Sequence, residues 1–215
     1  MNDEPAVWRC RVVAAPPHWP MLHVLAVAHS GAAGPGDAHG REAARRRVRQ
    51  LLLQYAGPAI AAPFLATDGS ASGAGRASVS HEQGFSLLAW CGQGCIGIDV
   101  VGPRGLAGAN LEELAITARL YLDAEPAAEA ARAATPQAAS QRFASAWARH
   151  EAKLKCLGLV LEEGSAALWV RLADCRTARV ALPPSLGCDA AASAAWIAWR
   201  GDVEGVSVPA TATGR

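Results

Sequence analysis

Lysine is nearly missing from this chain: Lys153 and Lys155 stand against 18 arginines among 20 basic residues. A chain that supplies its cations as arginine has reason to use lysine where a compact ammonium, able to release a proton, does what a permanently charged guanidinium does badly. Net charge is also scarce. At +1 there is no global field to draw nucleic acid or a membrane surface, so any anion must be recognised by a local cluster. Long apolar runs are lacking too: residues 21–28 are interrupted by His23 and preceded by Pro16, Pro17 and Pro20, too short for a membrane helix. No signal-peptide pattern is recognisable. Six cysteines in 215 residues are too sparse for a secreted disulfide scaffold, and read as reduced thiols of a cytoplasmic protein. Cys91 and Cys95 have no second Cys or His pair at zinc-site spacing. With HExxH and GxSxG also absent, neither a zinc hydrolase nor a Ser/His/Asp triad has support.

What is present is a chain 51% hydrophobic, able to bury a sizeable core as one domain or as two closely packed halves. Residues 7–13 and 22–28 are apolar segments punctuated by proline and glycine, which suits short strands joined by loops. Residues 41–55, REAARRRVRQLLLQY, set Ala44, Val48, Leu51, Leu52 and Tyr55 at helical spacing, exposing the arginines and ending near Gly57-Pro58. Those arginines read as a solvated face. Arg41 and Arg45, one turn apart at the helix start, also suit the grip of a phosphate.

Residues 78–102, SVSHEQGFSLLAWCGQGCIGIDVVG, read as a loop, a strand to Trp90, a tight turn at Gly92-Gln93-Gly94 and a second strand to about Val100. On that strand Ile96, Ile98 and Val100 share one face, with Cys95, Gly97 and Asp99 on the other. Asp99 there either caps a turn or faces a cation. A helix is expected over residues 111–122 and a loop or loosely packed helix over 123–134. Thr135-Pro136 then supplies an N-cap and first-turn proline, and Gly158 the stop, of a helix of about six turns. Two alternating runs, 168–172 and 178–182, suggest a hairpin, and residues 195–200 and 205–209 a final pair. The segment AWRGDVEGVSVP near the end faintly repeats AWCGQGCIGIDV, which suggests two similar halves.

The long helix carries FASAWARHEAKLKCL, residues 143–157. At about 100° per residue, Phe143, Ala146, Trp147, His150, Leu154 and Leu157 form an apolar stripe with His150 inside it. Glu151 and Lys155 share one flank and Lys153 lies on the opposite one. Glu151 and Lys155 are then an ordinary i, i+4 ion pair, or else part of a site with Asp99, Ser80, His81 and the arginine helix, a set offering oxygens to a hard cation and donors to phosphates.

Three blocks, SVSHEQG, GIDVVG and, about fifty residues on, WARHEAKLKCLG, resemble in order and spacing the signature blocks of the Sfp-type 4′-phosphopantetheinyl transferases, and looser likeness covers most of the chain. The resemblance implies an α+β fold, a pseudo-dimer of two similar halves (residues 1–102, on the coenzyme A side, and 103–215) with the active site in the cleft between them. It implies Mg²⁺-dependent transfer of phosphopantetheine from coenzyme A to a serine of an acyl or peptidyl carrier protein, as used in fatty-acid, polyketide or nonribosomal-peptide synthesis, with release of adenosine 3′,5′-bisphosphate. Carried over by position, Asp99 and Glu151 hold the metal, and Glu151 and Lys155 are catalytic. Arg41, Arg45, Ser80, His81 and Lys155 bind coenzyme A. Three departures stand out. The family's third acid is Val101 here, and the lysine before the glutamate is His150, while a usual Lys-Pro appears as Ala62-Pro63.

The expectation is a cytoplasmic enzyme, monomeric because a pseudo-dimer completes its own site, with no nucleic-acid or membrane partner. One alternative is a weakened homologue that binds coenzyme A or carrier protein without turnover, suggested by Val101. A nucleic-acid module using residues 41–49 is disfavoured by the low net charge and the lack of stacking aromatics beside the arginines.

Overall fold

The two most apolar stretches become inner strands of one sheet. Leu22–Ala28 and Phe85–Cys91 pair antiparallel in full register from Leu22 opposite Cys91 to Ala28 opposite Phe85, and the second is buried along its whole length. In the computed structural model, which describes residues 6–13, 21–29, 38–66, 75–106, 109–186 and 192–201, the fold is α+β. The described residues hold two four-stranded antiparallel sheets and six α-helices. The first sheet runs β1 (Val7–Arg9), β3 (Leu22–Ala28), β5 (Phe85–Cys91), β4 (Ala77–Glu82), and the second β2 (Arg11–Val13), β7 (Arg176–Ala181), β8 (Ala194–Arg200), β6 (Cys95–Val101).

Alternation along the strands builds the layers. Leu25, Val27, Leu88 and Trp90 point to α1 (Ala38–Ala56) and α2 (Pro58–Ala66), where they meet Val48, Leu51, Leu52 and Phe64. Their neighbours Val24, Ala26, Leu87 and Ala89 point the other way, onto Ile96, Ile98, Val100 and Ile197 of the second sheet. The two sheets thus enclose one apolar layer. Helix α5 (Pro136–Leu157) covers the outer face of the second sheet.

The edges of both sheets are occupied. At one side the strand expected over residues 7–13 breaks at Cys10, pairs with β3 before the break and with β7 after it, and so passes from one sheet to the other. At the other side β4 and β6 lie edge to edge, joined by side chains. The outward N–H groups of Ile98, Val100 and Gly102 donate to Ser78 Oγ (3.1 Å), Ser80 Oγ (3.3 Å) and Glu82 Oε2 (2.6 Å), and that of Ile96 to the Gly75 carbonyl (2.8 Å). An open strand edge is an unpaired row of donors and acceptors, and here the i, i+2, i+4 side chains of β4 complete it. This corrects the loop expected at SVSHEQG. Its polar residues look loop-like in sequence because their partner is another strand's backbone.

One further expectation changes. Residues 168–172 are not half of a hairpin but belong to α6 (Ala166–Ala173), capped by Ser165 Oγ, which accepts from the Leu168 N–H. Leu168 and Leu172, four apart, both pack on Leu154, so the helical period outweighs the alternation. The acidic stretch after residue 122 forms α4 (Ala124–Ala131), which follows α3 (Leu111–Tyr121). The strand expected over 205–209, and with it most of the internal repeat, lies outside the described residues.

Helix α5 keeps its expected limits: Thr135 caps it by accepting from the Ala138 N–H, Pro136 opens it and Gly158 ends it in the left-handed conformation at φ 64°. It buries more than the expected stripe. The alanines at 148 and 152 and Cys156 have no exposure, and Ala152 and Cys156 lie on the sheet. Phe143 and Trp147 pack toward α3, and Leu154 toward α6. The approach is closest at Gly97 of β6, where a Cβ would stand 2.0 Å from the Ala152 carbonyl oxygen and 2.4 Å from the Cys156 nitrogen. Glycine here lets the helix rest directly on the strand. No described helix is long and apolar enough to cross a membrane.

Candidate functional site

Because Gly97 admits α5 so closely, the next outward residue of β6, Asp99, comes beneath the last turns of the helix. Lys155 Nζ is 2.6 Å from Asp99 Oδ1 and also donates to the Ile98 carbonyl at 3.3 Å. From the stitched edge, Ser80 Oγ donates to the same Oδ1 at 2.8 Å while accepting from the Val100 N–H. Asp99 is 7% exposed, and a carboxylate so enclosed needs donors and a counter-charge. Ser80 and Lys155 provide both at one oxygen, and among the described residues no hydrogen bond falls on the other.

Glu151 lies one turn before Lys155. The i, i+4 pair open to these two is not made: Lys155 turns to Asp99, and Glu151 forms no hydrogen bond or ion pair among the described residues. Its carboxyl group is half-buried, and desolvation, followed by the charge of Asp99, holds its pKa above the ordinary glutamate value, partly offset by Lys155. Asp99, Glu151, Lys155, Ser80 and His81 line one cavity of about 590 Å³. Leu114, Phe143 and Trp147 form its apolar side.

His81 stands at the rim of this cavity, exposed, with its Nδ1 on Ser86 Oγ, which in turn meets His29 Nε2 at 2.7 Å. Desolvation lowers its pKa, as do the positive charges of His29, Arg45 and Lys155. Arg45 is exposed on α1 and within electrostatic reach of this histidine. Arg41 lies in the first turns of α1, and its side chain is outside the described residues. Lys153 lies on the far flank of α5, away from this cavity, as the helical spacing requires.

Two residues here escape the sequence reading. Ser78 and Glu82 bracket Ser80 at two-residue spacing, and that alternation of polar residues is the signal that they share a face. Glu82 lines the cavity beside Val101. It does not replace the acid absent at 101, because its oxygens are taken by the N–H groups of Gly102 (2.6 Å) and Gln83 (2.8 Å). Val101 itself lines the cavity.

Among the described residues no group of three or more His, Cys, Asp and Glu side chains is arranged to hold a metal ion. Two carboxylates, however, face the same space closely enough for one to raise the pKa of the other, and one of them has no hydrogen-bond or ion-pair partner among the described residues. That pair fits Mg²⁺, which is held through one or two carboxylates and fills its remaining positions with water and phosphate oxygens. Lys155 and Ser80 add donors for anionic oxygen. The chain matches no protein-family model, and a search of the curated proteins finds no match for it.

Proposed function

We propose that this chain is a 4′-phosphopantetheinyl transferase, moving the phosphopantetheine group of coenzyme A onto a serine of an acyl or peptidyl carrier protein with the help of Mg²⁺. The supporting observation is the convergence of three separated sequence blocks: Ser80 on β4, Asp99 on β6 and Glu151 with Lys155 on α5 line one cavity. In this reading the cavity lies in the cleft of a pseudo-dimer, and the chain works as a monomer.

Asp99 and Glu151 would hold the Mg²⁺, which supplies neutralisation of the diphosphate charge. The chain's own groups do the rest. Glu151, whose raised pKa marks a carboxylate with proton affinity, takes the proton of the carrier serine. The serine oxygen bonds to the pantetheine-side phosphorus as the diphosphate P–O bond breaks, and adenosine 3′,5′-bisphosphate leaves with the electron pair. Lys155 steadies that departing charge, since phosphoryl transfer is mainly positioning and charge neutralisation. His81, Arg45 and Arg41 bind the outer phosphates of coenzyme A.

Incubation with coenzyme A, Mg²⁺ and an apo carrier protein should add about 340 Da to the carrier, the mass of the transferred group in this chemistry. A panel of apo carriers that all stay unmodified, while a reference enzyme loads them, rejects the proposal. Val101 favours a second reading, a homologue that binds coenzyme A or carrier without turnover. Saturable coenzyme A binding with no added mass selects it.

A further inference from the structure

The rarity of lysine is only half used by this site. Lys153, on the opposite flank of α5, faces a second cavity of about 440 Å³ that shares no lining residue with the first. Its cationic wall is Arg142, Arg149 and Lys153, placed at i, i+7 and i+11 along one flank of the helix. Lys153 is half-buried and makes no ion pair among the described residues. The Arg149 guanidinium is held over Trp196 at 5.7 Å, with Arg179 over the same indole at 5.8 Å. Trp196 in turn donates to Ser145 Oγ at 3.0 Å. Such stacking keeps a guanidinium in place while leaving its N–H edge free.

The inner end of the cavity carries an unmet polar group. His150 is 6% exposed and its Nε2 has no hydrogen-bond partner among the described residues, while its ring meets Trp169 edge to face at 5.7 Å. Burial keeps this imidazole neutral, with a pKa lowered to about 4. A buried polar atom left unsatisfied by the described residues is costly and calls for an explanation. The floor around it is apolar: Leu122, Leu172 and Trp169. At the mouth, Asp123, Glu125 and Glu129 are exposed, and the charge of Asp123 reaches Lys153.

These features select among ligands. A metal cation meets three positive side chains. A multiply charged phosphate has to pass an acidic mouth and leaves the apolar floor unused. A singly charged anion with an apolar body is repelled less at that mouth and uses the floor, and the volume is within the range of small-molecule sites. We propose that this cavity binds a small organic monocarboxylate: its apolar body lies against Trp169 and the leucines, and its carboxylate takes the Lys153 ammonium and the Arg149 guanidinium. His150, which lines the same cavity, has its Nε2 left to donate to the second carboxylate oxygen. The inference does not depend on phosphopantetheinyl transfer.

Calorimetric titration at pH 7 with 3-phenylpropionate, 3-phenylpropan-1-ol and phenethylamine tests it. The acid should bind about tenfold or more tightly than the alcohol, as charge-assisted hydrogen bonds do. Lys153→Met should lose about tenfold for the acid alone, and Glu151→Gln should bind it as the parent chain does. Should Lys153→Met fail to fold, Arg149→Gln, at an exposed side chain, carries the same test. Equal binding of acid and alcohol, tighter binding of the amine, or no saturation with any of the three overturns the proposal.

Discussion

Asp99 and Glu151 are two acids of one cavity in opposite states. Asp99 is paired with Lys155 at 2.6 Å and accepts from Ser80, whereas Glu151 is half-buried without a hydrogen-bond or ion-pair partner among the described residues. Replacement therefore acts differently at the two positions. Glu151 has a folded pKa above its unfolded value, so its protonation favours the native state. That contribution is complete below the ordinary glutamate range and fades as pH rises through the folded pKa. Glu151→Gln, with an uncharged amide, should raise Tm at pH 7 and make no difference near about pH 3.5, where the parent side chain is also neutral. Transfer to the carrier should fall by about 10²- to 10⁴-fold, the usual contribution of a positioned proton acceptor. A lower Tm at pH 7 would show that Glu151 has an undetected partner. Lys155→Met instead leaves Asp99 enclosed without its counter-charge. Because Lys155 keeps 32% side-chain exposure and water partly compensates, the cost should be about 2 kcal/mol, below the range for a fully buried pair. For a chain of this size that is a Tm drop of about 4–8 °C by thermal denaturation. The Asp99–Lys155 contact joins residues 56 positions apart, and sequence alone has only local spacing to offer, so it leaves Glu151 as the natural partner of Lys155. The residue types of the site were legible, while their pairing was not.

Among the elements, α5 was the most legible because each of its limits is set by a local rule: a threonine cap, a first-turn proline and a left-handed glycine. The strand β4 was the least legible, since its Ser78, Ser80 and Glu82 look like loop residues until β6 stands beside them. Helix α6 was misread for the opposite reason, its LWVRL run alternating by chance while Leu168 and Leu172 obey the helical period. Gly97 links these elements to the site. Its substitution by alanine puts a methyl group at 2.0 Å from the Ala152 carbonyl oxygen, and both contacts are backbone, which cannot rotate away. Helix and strand must separate. Gly97→Ala should cost about 3 kcal/mol, at the upper end for overpacking, and should reduce transfer at the same time, because Lys155 is carried away from Asp99. A variant with unchanged Tm and activity would mean that α5 does not rest on β6 as described.

At the scale of the molecule, the site lies where the two sheets are sewn together rather than inside either one. One edge is closed by a strand that changes sheets at Cys10, and the other by side chains of β4 on the backbone of β6. Ser80 belongs to both structures: it completes the edge by accepting from Val100 and orients Asp99 by donating to it. Under the proposed function, the chemistry and the closure of the fold are coupled at one hydroxyl. The neighbouring Ser78, with its Oγ on the Ile98 N–H, serves closure. Ser78→Ala removes an acceptor from a buried N–H, at about 1–3 kcal/mol, and should speed amide hydrogen exchange at Ile98 by about ten- to a hundredfold, since local opening sets that rate. The inner rungs of β6 on β8, which use the alternate backbone groups, should keep their protection. Ser80→Ala should show the same exchange effect at Val100 and in addition lower transfer, whereas Ser78→Ala, at a side chain that does not line the cavity, should leave transfer within about twofold of the parent. Unchanged exchange at both amides would mean that the edge is held by something other than these hydroxyls. Equal loss of transfer in both variants would place the whole stitched edge, and not Ser80 alone, in the support of Asp99.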